Sequence, residues 1–348
     1  MFRGRGAAYA RVRALLLVIA LVATVSIAVG FSGVGSDEST TGSRKGPGER
    51  QPEKQSEQRT EQSPTVVTKK IVPPAAVAKA ASRRTSTATL PGGGTKVFGG
   101  KRFVVAYYGT AGTGALGVLG ERSPDQMHRR LRRAARDFKR PGEKIVPVYE
   151  LIVTVADAAP GKGRDYNHDI TRKQVRRYIK AAERNGALVV LDIQPGRDDF
   201  LTVAKRWEWA LKHPLVGLAL DPEWRMGPRQ VPGRVIGSVR AKEINQVSAW
   251  LDRLTRKQGL PEKVFMLHSF RSSMIVRPER VADRPRLAEV LHIDGFGTPS
   301  QKLDTYRALA RPGQFRMGFK LFYDEDVPRM KARAVRKIRP KVRFVSFQ

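Results

Sequence analysis

From Lys101 to Gln348 the chain alternates between short apolar, β-rich runs and longer stretches whose apolar residues recur every three or four positions. The first texture is that of buried strands and the second that of amphipathic helices, so the alternation predicts a parallel α/β domain. Strands are expected at Phe103–Tyr108, Ile145–Val155, Ala187–Ile193, Val216–Asp221, Val264–His268, Leu291–Phe296, Phe315–Phe322 and Val342–Phe347. Between them Met127, Leu131, Ala134 and Phe138 share one helical face, as do Ile244, Val247, Leu251 and Leu254. Ser123-Pro124-Asp125-Gln126 and Thr171-Arg172-Lys173-Gln174 read as capping boxes that open helices, and Gly186 stands where a helix C-terminal glycine belongs. Eight strands with helices between them predict a (β/α)8 TIM-like barrel over 101–348, lacking the last helix because the sequence stops just after the final strand. A doubly wound open sheet is the alternative architecture.

Ahead of Lys101 this periodicity is lost. Residues 1–31 begin with Arg3, Arg5, Arg11 and Arg13 and continue in the uncharged run Ala14–Phe31. That pattern predicts a signal or anchor helix with a basic cytoplasmic tip, and the positive-inside rule places everything after Phe31 outside. Residues 32–100 are rich in Ser, Thr, Gln, Glu, Lys, Gly and Pro and predict a disordered extracytoplasmic linker. The expected location is therefore the cell membrane with the barrel outside, or secretion if the segment is cleaved.

Charge and cysteine content narrow the chemistry. The 348 residues include no cysteine, which excludes thiolate nucleophiles, thiolate-held zinc and disulfides. The formal net charge is +33. In an extracytoplasmic protein that excess suggests an anionic cell-envelope polymer or polysaccharide as partner, with the membrane contacted through the N-terminal helix and no nucleic acid. No cofactor and no metal is expected, and nothing in the pattern fixes an oligomeric state.

The candidate chemistry gathers where the predicted strands end. In Pro214–Arg225 an apolar run closes abruptly on Asp221, Pro222, Glu223, Trp224 and Arg225, as a buried strand that delivers functional groups at its carboxyl end would. Asp221 is expected as the last strand residue, with Glu223 on the same side. The competing reading is that the pair salt-bridges Arg225 or caps the next helix. Around the other strand ends stand Tyr107, Tyr108, Glu150, Asp192, Gln194, His268, Asp294 and Tyr323, which together form a polar, largely acidic rim expected to bind substrate. Trp224, following Glu223, is expected to offer a flat face to a sugar ring. Gly112-Thr113-Gly114-Ala115-Leu116-Gly117 matches a dinucleotide-binding fingerprint literally, but Gly120 and Pro124 interrupt the helix such a site needs, so it reads as a flexible loop.

The strand ending in Asp-x-Glu resembles the fourth strand of chitinase-like family 18 glycoside hydrolases and the corresponding strand of family 25 lysozymes. The latter also end on an aromatic-Gln strand, as Phe347-Gln348 does here. Val216 and Ala219 stand where the chitinase pattern has aspartates, and Tyr107-Tyr108-Gly109 where the lysozyme pattern has one. The resemblance therefore implies only Glu223 as catalytic acid and Asp221 as its catalytic partner. That is the chemistry of glycosidic cleavage, in which one carboxyl protonates the leaving oxygen and a second negative group stabilises the oxocarbenium-like state. Two other readings stand beside it: a wall-associated protein that binds glycan without cutting it, and a divalent-metal enzyme using Glu150, Asp192, Asp221, Glu223 and Asp294 as ligands.

Overall fold

The computed structural model describes residues 88–348. The expectations for the basic tip, the apolar run and most of the linker lie outside the described residues, among which no helix is long and apolar enough to cross a membrane.

Eight strands form the barrel: β1 Arg102–Thr110, β2 Lys144–Ala156, β3 Leu188–Ile193, β4 Val216–Leu220, β5 Lys263–Ser269, β6 Leu287–Ile293, β7 Arg316–Leu321 and β8 Val342–Phe347. Each pairs in parallel with the next, and β8 pairs with β1, so the sheet closes on itself and leaves no edge. This is the expected α/β barrel and excludes the open sheet. Bounds agree closely for seven strands. The sixth starts four residues before its predicted position, because Glu289 and the nearby Pro285 hide the run that continues into Ile293.

The helices are α1 Pro124–Ala135, α2 Arg172–Asn185, α3 Phe200–Arg206, α4 Glu208–Leu211, α5 Ala241–Lys257, α6 Pro299–Leu309 and α7 Ala332–Val335. Thr171 begins α2 as predicted: its Oγ1 accepts from Gln174 N at 3.3 Å while Gln174 Oε1 accepts from Thr171 N at 2.9 Å. Gly186 ends α2 in the left-handed region at φ 62°. Between β5 and β6 there is no α-helix; the connection holds two single 3-10 turns at Ser272–Met274 and Pro278–Arg280 and a two-residue strand, Ile275–Val276, paired with Val239–Arg240.

The alternating side chains of the strands make two cores. Outward residues such as Val105, Leu151, Leu191, Leu218 and Leu267 pack with Met127, Leu131, Val175, Val247 and Leu251 of the helices. Inward residues, among them Val104, Ala106, Val148, Val190, Met266 and Phe344, fill the barrel with Leu90 and Val97 packed against them. Burying each large apolar side chain contributes about 1.5–3 kcal/mol. Leu90 and Val97 belong to the stretch whose composition suggests a linker, yet they are buried, and Val97 N donates to Glu262 Oε2 at 2.7 Å. The folded unit therefore includes part of residues 88–100. Two apolar residues among glycines are too few to show as a periodic signal.

Candidate active site

Along every strand the inward row changes character within one step of two residues. Ala106 is followed by Tyr108, Val148 by Glu150, Val190 by Asp192, Ala219 by Asp221, Met266 by His268, Val290 by His292, Gly318 by Lys320 and Phe344 by Ser346. Because side chains alternate with period two, these eight second members all point into the barrel at its carboxyl end. All eight are buried.

His268 lies at the centre of the cluster. Its Nδ1 is 3.0 Å from Asp294 Oδ2, and its Nε2 is 3.0 Å from Glu150 Oε1, close enough for an ion pair though not aligned as a hydrogen bond. Lys320 Nζ is 3.6 Å from Asp294 Oδ2, donates to Gln348 Oε1 at 3.1 Å and sits 3.6 Å from the centre of the Tyr108 ring. The Tyr108 hydroxyl donates to Asp192 Oδ2 at 2.7 Å. Deeper in the barrel, Ser346 Oγ and His292 Nε2 are 3.1 Å apart.

These contacts divide the titratable groups into two sets. Burial works against charge on His268, but Asp294 and Glu150 outweigh it and hold the ring well above the ordinary histidine range, protonated on both nitrogens. Burial likewise opposes ionisation of Glu150 and Asp294, and the His268 charge overcomes it, so both carboxyls lie below their usual range. The other acids are compensated less. Burial, then repulsion from Asp192, pushes Asp221 up to about 7. Burial pushes Asp192 to about 6 against the pull of His268 and the Tyr108 hydroxyl. Glu223 is raised well above the glutamate range by burial and by the charges of Asp221 and Asp294. His292 is lowered to about 3, chiefly by burial, and stays neutral.

Glu223 lies on a 3-10 turn, Pro222–Trp224, and not on a continued strand. The turn still leaves its carboxyl within the fields of Asp221 and Asp294. Neither competing role for the pair is seen. Arg225 Nε donates to Glu243 Oε1 of α5 at 2.9 Å, and the Asp221 side chain caps nothing. Asp221 Oδ1, Asp192 Oδ1 and Asp294 Oδ1 are buried without a hydrogen-bond partner, which is costly unless a ligand or proton meets them.

Of the expected site residues, the structure brings together Tyr108, Glu150, Asp192, Asp221, Glu223, His268 and Asp294. Gln194 joins them at the edge, accepting from Ala156 N at 3.1 Å and lying 3.5 Å from the Tyr108 hydroxyl. Trp224 is half-buried on the turn beside Glu223. Tyr107, one residue out of phase with Tyr108, points outward into the helix layer. Its hydroxyl meets that of Tyr323 at 3.1 Å, with Arg130 lying 5.4 Å from the Tyr323 ring, so this pair packs the outside of the barrel. Lys320, His292 and Ser346 are members that the strand-end reading missed. Their signal is a polar residue inside an apolar run, two positions after an inward apolar one.

The glycine loop is held down tightly. Gly117 has φ 129°, and a Cβ there would lie 2.4 Å from Tyr108 O, so backbone packs on backbone where a flexible ligand loop is expected. A cavity of about 790 Å³, lined by Glu262, Asp283 and Glu289 among others, opens at the other end of the barrel beside Lys96 and Phe98. Volume alone thus does not mark the chemistry. Among the described residues no three His, Cys, Asp or Glu side chains converge as ligands of one metal ion.

No family model matches the chain, and no curated protein matches it. Among solved structures, dihydrodipicolinate synthase from Bacillus clausii aligns with a TM-score of 0.27 and 11% identity, covering 64% of this chain and 61% of that one. This chain thus spans less than two thirds of that protein, and so weak a likeness carries no argument. The assignment of a TIM-like α/β barrel rests on the closed ring of eight parallel strands described above.

Proposed function

We propose that the barrel mouth performs carboxylate general acid chemistry on a glycosidic bond, with Glu223 as proton donor and Asp221 as its partner. The observation that supports this is the split among five neighbouring acids: Glu150 and Asp294 are held ionised by His268, while Asp192 and Asp221 are raised to about 6 and about 7 and Glu223 well above the glutamate range. Environments that push carboxyl pKa values apart provide both a proton donor and a fixed negative charge.

In this reading Glu223 gives its proton to the leaving oxygen. While Glu223 is still protonated Asp221 can carry negative charge, and it faces the developing oxocarbenium ion together with Asp294, which is ionised throughout; water then adds to the anomeric carbon and its proton returns to Glu223. His268 carries a proton on both ring nitrogens and so does not act as a base. Its role is to keep Glu150 and Asp294 charged. The substrate class proposed is an acetamido-sugar or other cell-envelope polysaccharide, with the barrel outside the membrane.

Release of reducing ends from such a polymer by the full chain tests the proposal. Glu223→Gln is expected to lower the rate by roughly 10²–10⁴-fold with an unchanged melting temperature. Unchanged turnover per folded molecule in the variant would remove Glu223 from the mechanism. Retention of the glycan without cleavage by the native chain would make the protein a binder.

A further inference from the structure

The cationic excess is spread around the barrel wall, densely at residues 329–343, which carry eight basic residues and no acidic one, and in two further clusters on and around α1 and α2. Residues 124–140, comprising α1 and the turn that follows, carry seven basic residues against two acidic ones, and α2 carries six against one. The longer α5 has only four against two. On α1, Met127, Leu131 and Ala135 are buried, which leaves Arg129, Arg132, Arg133 and Arg136 exposed along one outer stripe. On α2 the burial of Val175, Tyr178 and Ile179 exposes Lys173, Arg176, Arg177 and Lys180 in the same way.

The two helices are neighbours, the last turn of α2 meeting the first turn of α1 through Arg184 to Asp125 at 2.8 Å and Asn185 to Asp125 Oδ1 at 2.7 Å. Those contacts use the acid on the shared edge, and Glu121 is engaged by Arg130. Among the described residues, the eight stripe residues named above make no ion pair with an acid. Cations three or four residues apart on a helix lie about 5–6 Å from one another along the axis. That is inside the Debye length of about 8 Å at physiological salt, so they repel one another as a group and gain together from one long anion.

We infer that the paired α1 and α2 stripes are a docking surface for a linear phosphodiester polymer of the cell envelope. The predominance of arginine suits phosphate, whose oxygens accept the guanidinium fork two at a time. Each row spans about 10 Å, and the two together suit several successive phosphates of an extended chain. A bilayer fits less well, since the exposed large apolar residues, Val235, Phe296 and Val327, all lie outside both helices. Bases of a nucleic acid find no stacking platform, because the nearby Trp209 is covered by Arg172 and Arg176 at 5.6 and 5.0 Å. The surface is separate from the barrel mouth, so it stands whether or not the mouth is a glycosidase.

The test is binding of poly(glycerol phosphate) to the full chain at several salt concentrations, using Glu223→Gln protein so that turnover plays no part. Reversing Arg129, Arg133, Arg176 and Lys180 to glutamate is expected to weaken binding at least tenfold and to flatten its salt dependence. The same charge change on α5, at Lys242, Arg253, Arg256 and Lys257, is expected to weaken it less than threefold. Equal losses in both variants would show that only net charge matters and would overturn the assignment. So would equal affinity for a single-stranded DNA of matched charge.

Discussion

The two ends of the barrel interior share the same eight strands and nearly the same degree of burial, yet differ completely in chemistry. Toward the amino ends Val104, Val146, Val190 and Met266 meet Leu90 and Val97 in an apolar core, beside which Arg102 donates to the carbonyls of Gly93 and Lys96. Two to four residues further along the strands the same enclosed space holds Glu150, Asp192, His268 and Lys320. The comparison shows that this barrel tolerates buried charge only where each group has a counterpart. It also shows that the less well compensated acids, Asp192, Asp221 and Glu223, have their pKa values raised instead.

Strand β5 offers the sharpest way to break the contrast, since Met266 and His268 point into the same interior from its two levels. Replacing His268 by leucine leaves Glu150 and Asp294 buried without their cation. It is expected to cost about 3–5 kcal/mol in urea unfolding at neutral pH. The sign of its pH dependence follows from the shifts. Glu150 and Asp294 are lowered, so their contribution is present above the ordinary carboxylate range and is lost only as pH falls below it toward their lower folded values. His268 is raised, so its contribution is full below about 6.5 and is lost only as pH climbs through its higher folded value. The loss caused by the leucine should therefore persist down to about pH 4 and shrink only below it. Met266→Ala, at the other level, is expected to cost a similar or smaller amount, about 2–5 kcal/mol, from the cavity left. Its cost should not vary with pH, and turnover per folded molecule should stay intact.

A smaller effect with the opposite sign is expected at Asp221. Its pKa of about 7 means that the folded chain binds this proton more tightly than the unfolded one, where aspartate titrates near 3.9. Stability must then fall as pH rises from about 4 to about 7 and level off beyond. Asp221→Asn removes that penalty and is expected to stabilise the protein by about 1–3 kcal/mol at pH 8, while turnover is lost. Unfolding curves at pH 4 and pH 8 for both proteins check the sign.

Much of this arrangement was legible from residues alone. The apolar run broken by Asp221-Pro222-Glu223 reveals β4 and its rim, because a strand buried on both faces can place a carboxyl only at its end. Asp192, His268 and Asp294 follow from the same rule. Phase was harder to read. Tyr107 and Tyr108 are indistinguishable in a strand apolar on both sides, and only closure of the barrel sends one to the helices and the other to Asp192. Lys320 was hidden for a related reason: a lysine between Phe319 and Leu321 looks like a surface residue until Asp294 and Gln348 are seen beside it. The turn at Pro222–Trp224 escaped because proline biases only the residue before it.

The account depends on the mouth acids keeping a proton that the rest of the protein's surface carboxyls have lost. Carboxyl carbon NMR of the aspartate and glutamate side chains, titrated from pH 3 to pH 9 in native protein and in Asp221→Asn, measures this directly. The account predicts at least one carboxyl resonance titrating between about pH 6 and 7 in the native chain, and its loss or displacement in the variant. If every carboxyl titrates below pH 5 and the variant's spectrum differs only by the missing residue, the proposed division of charge in the barrel mouth is contradicted.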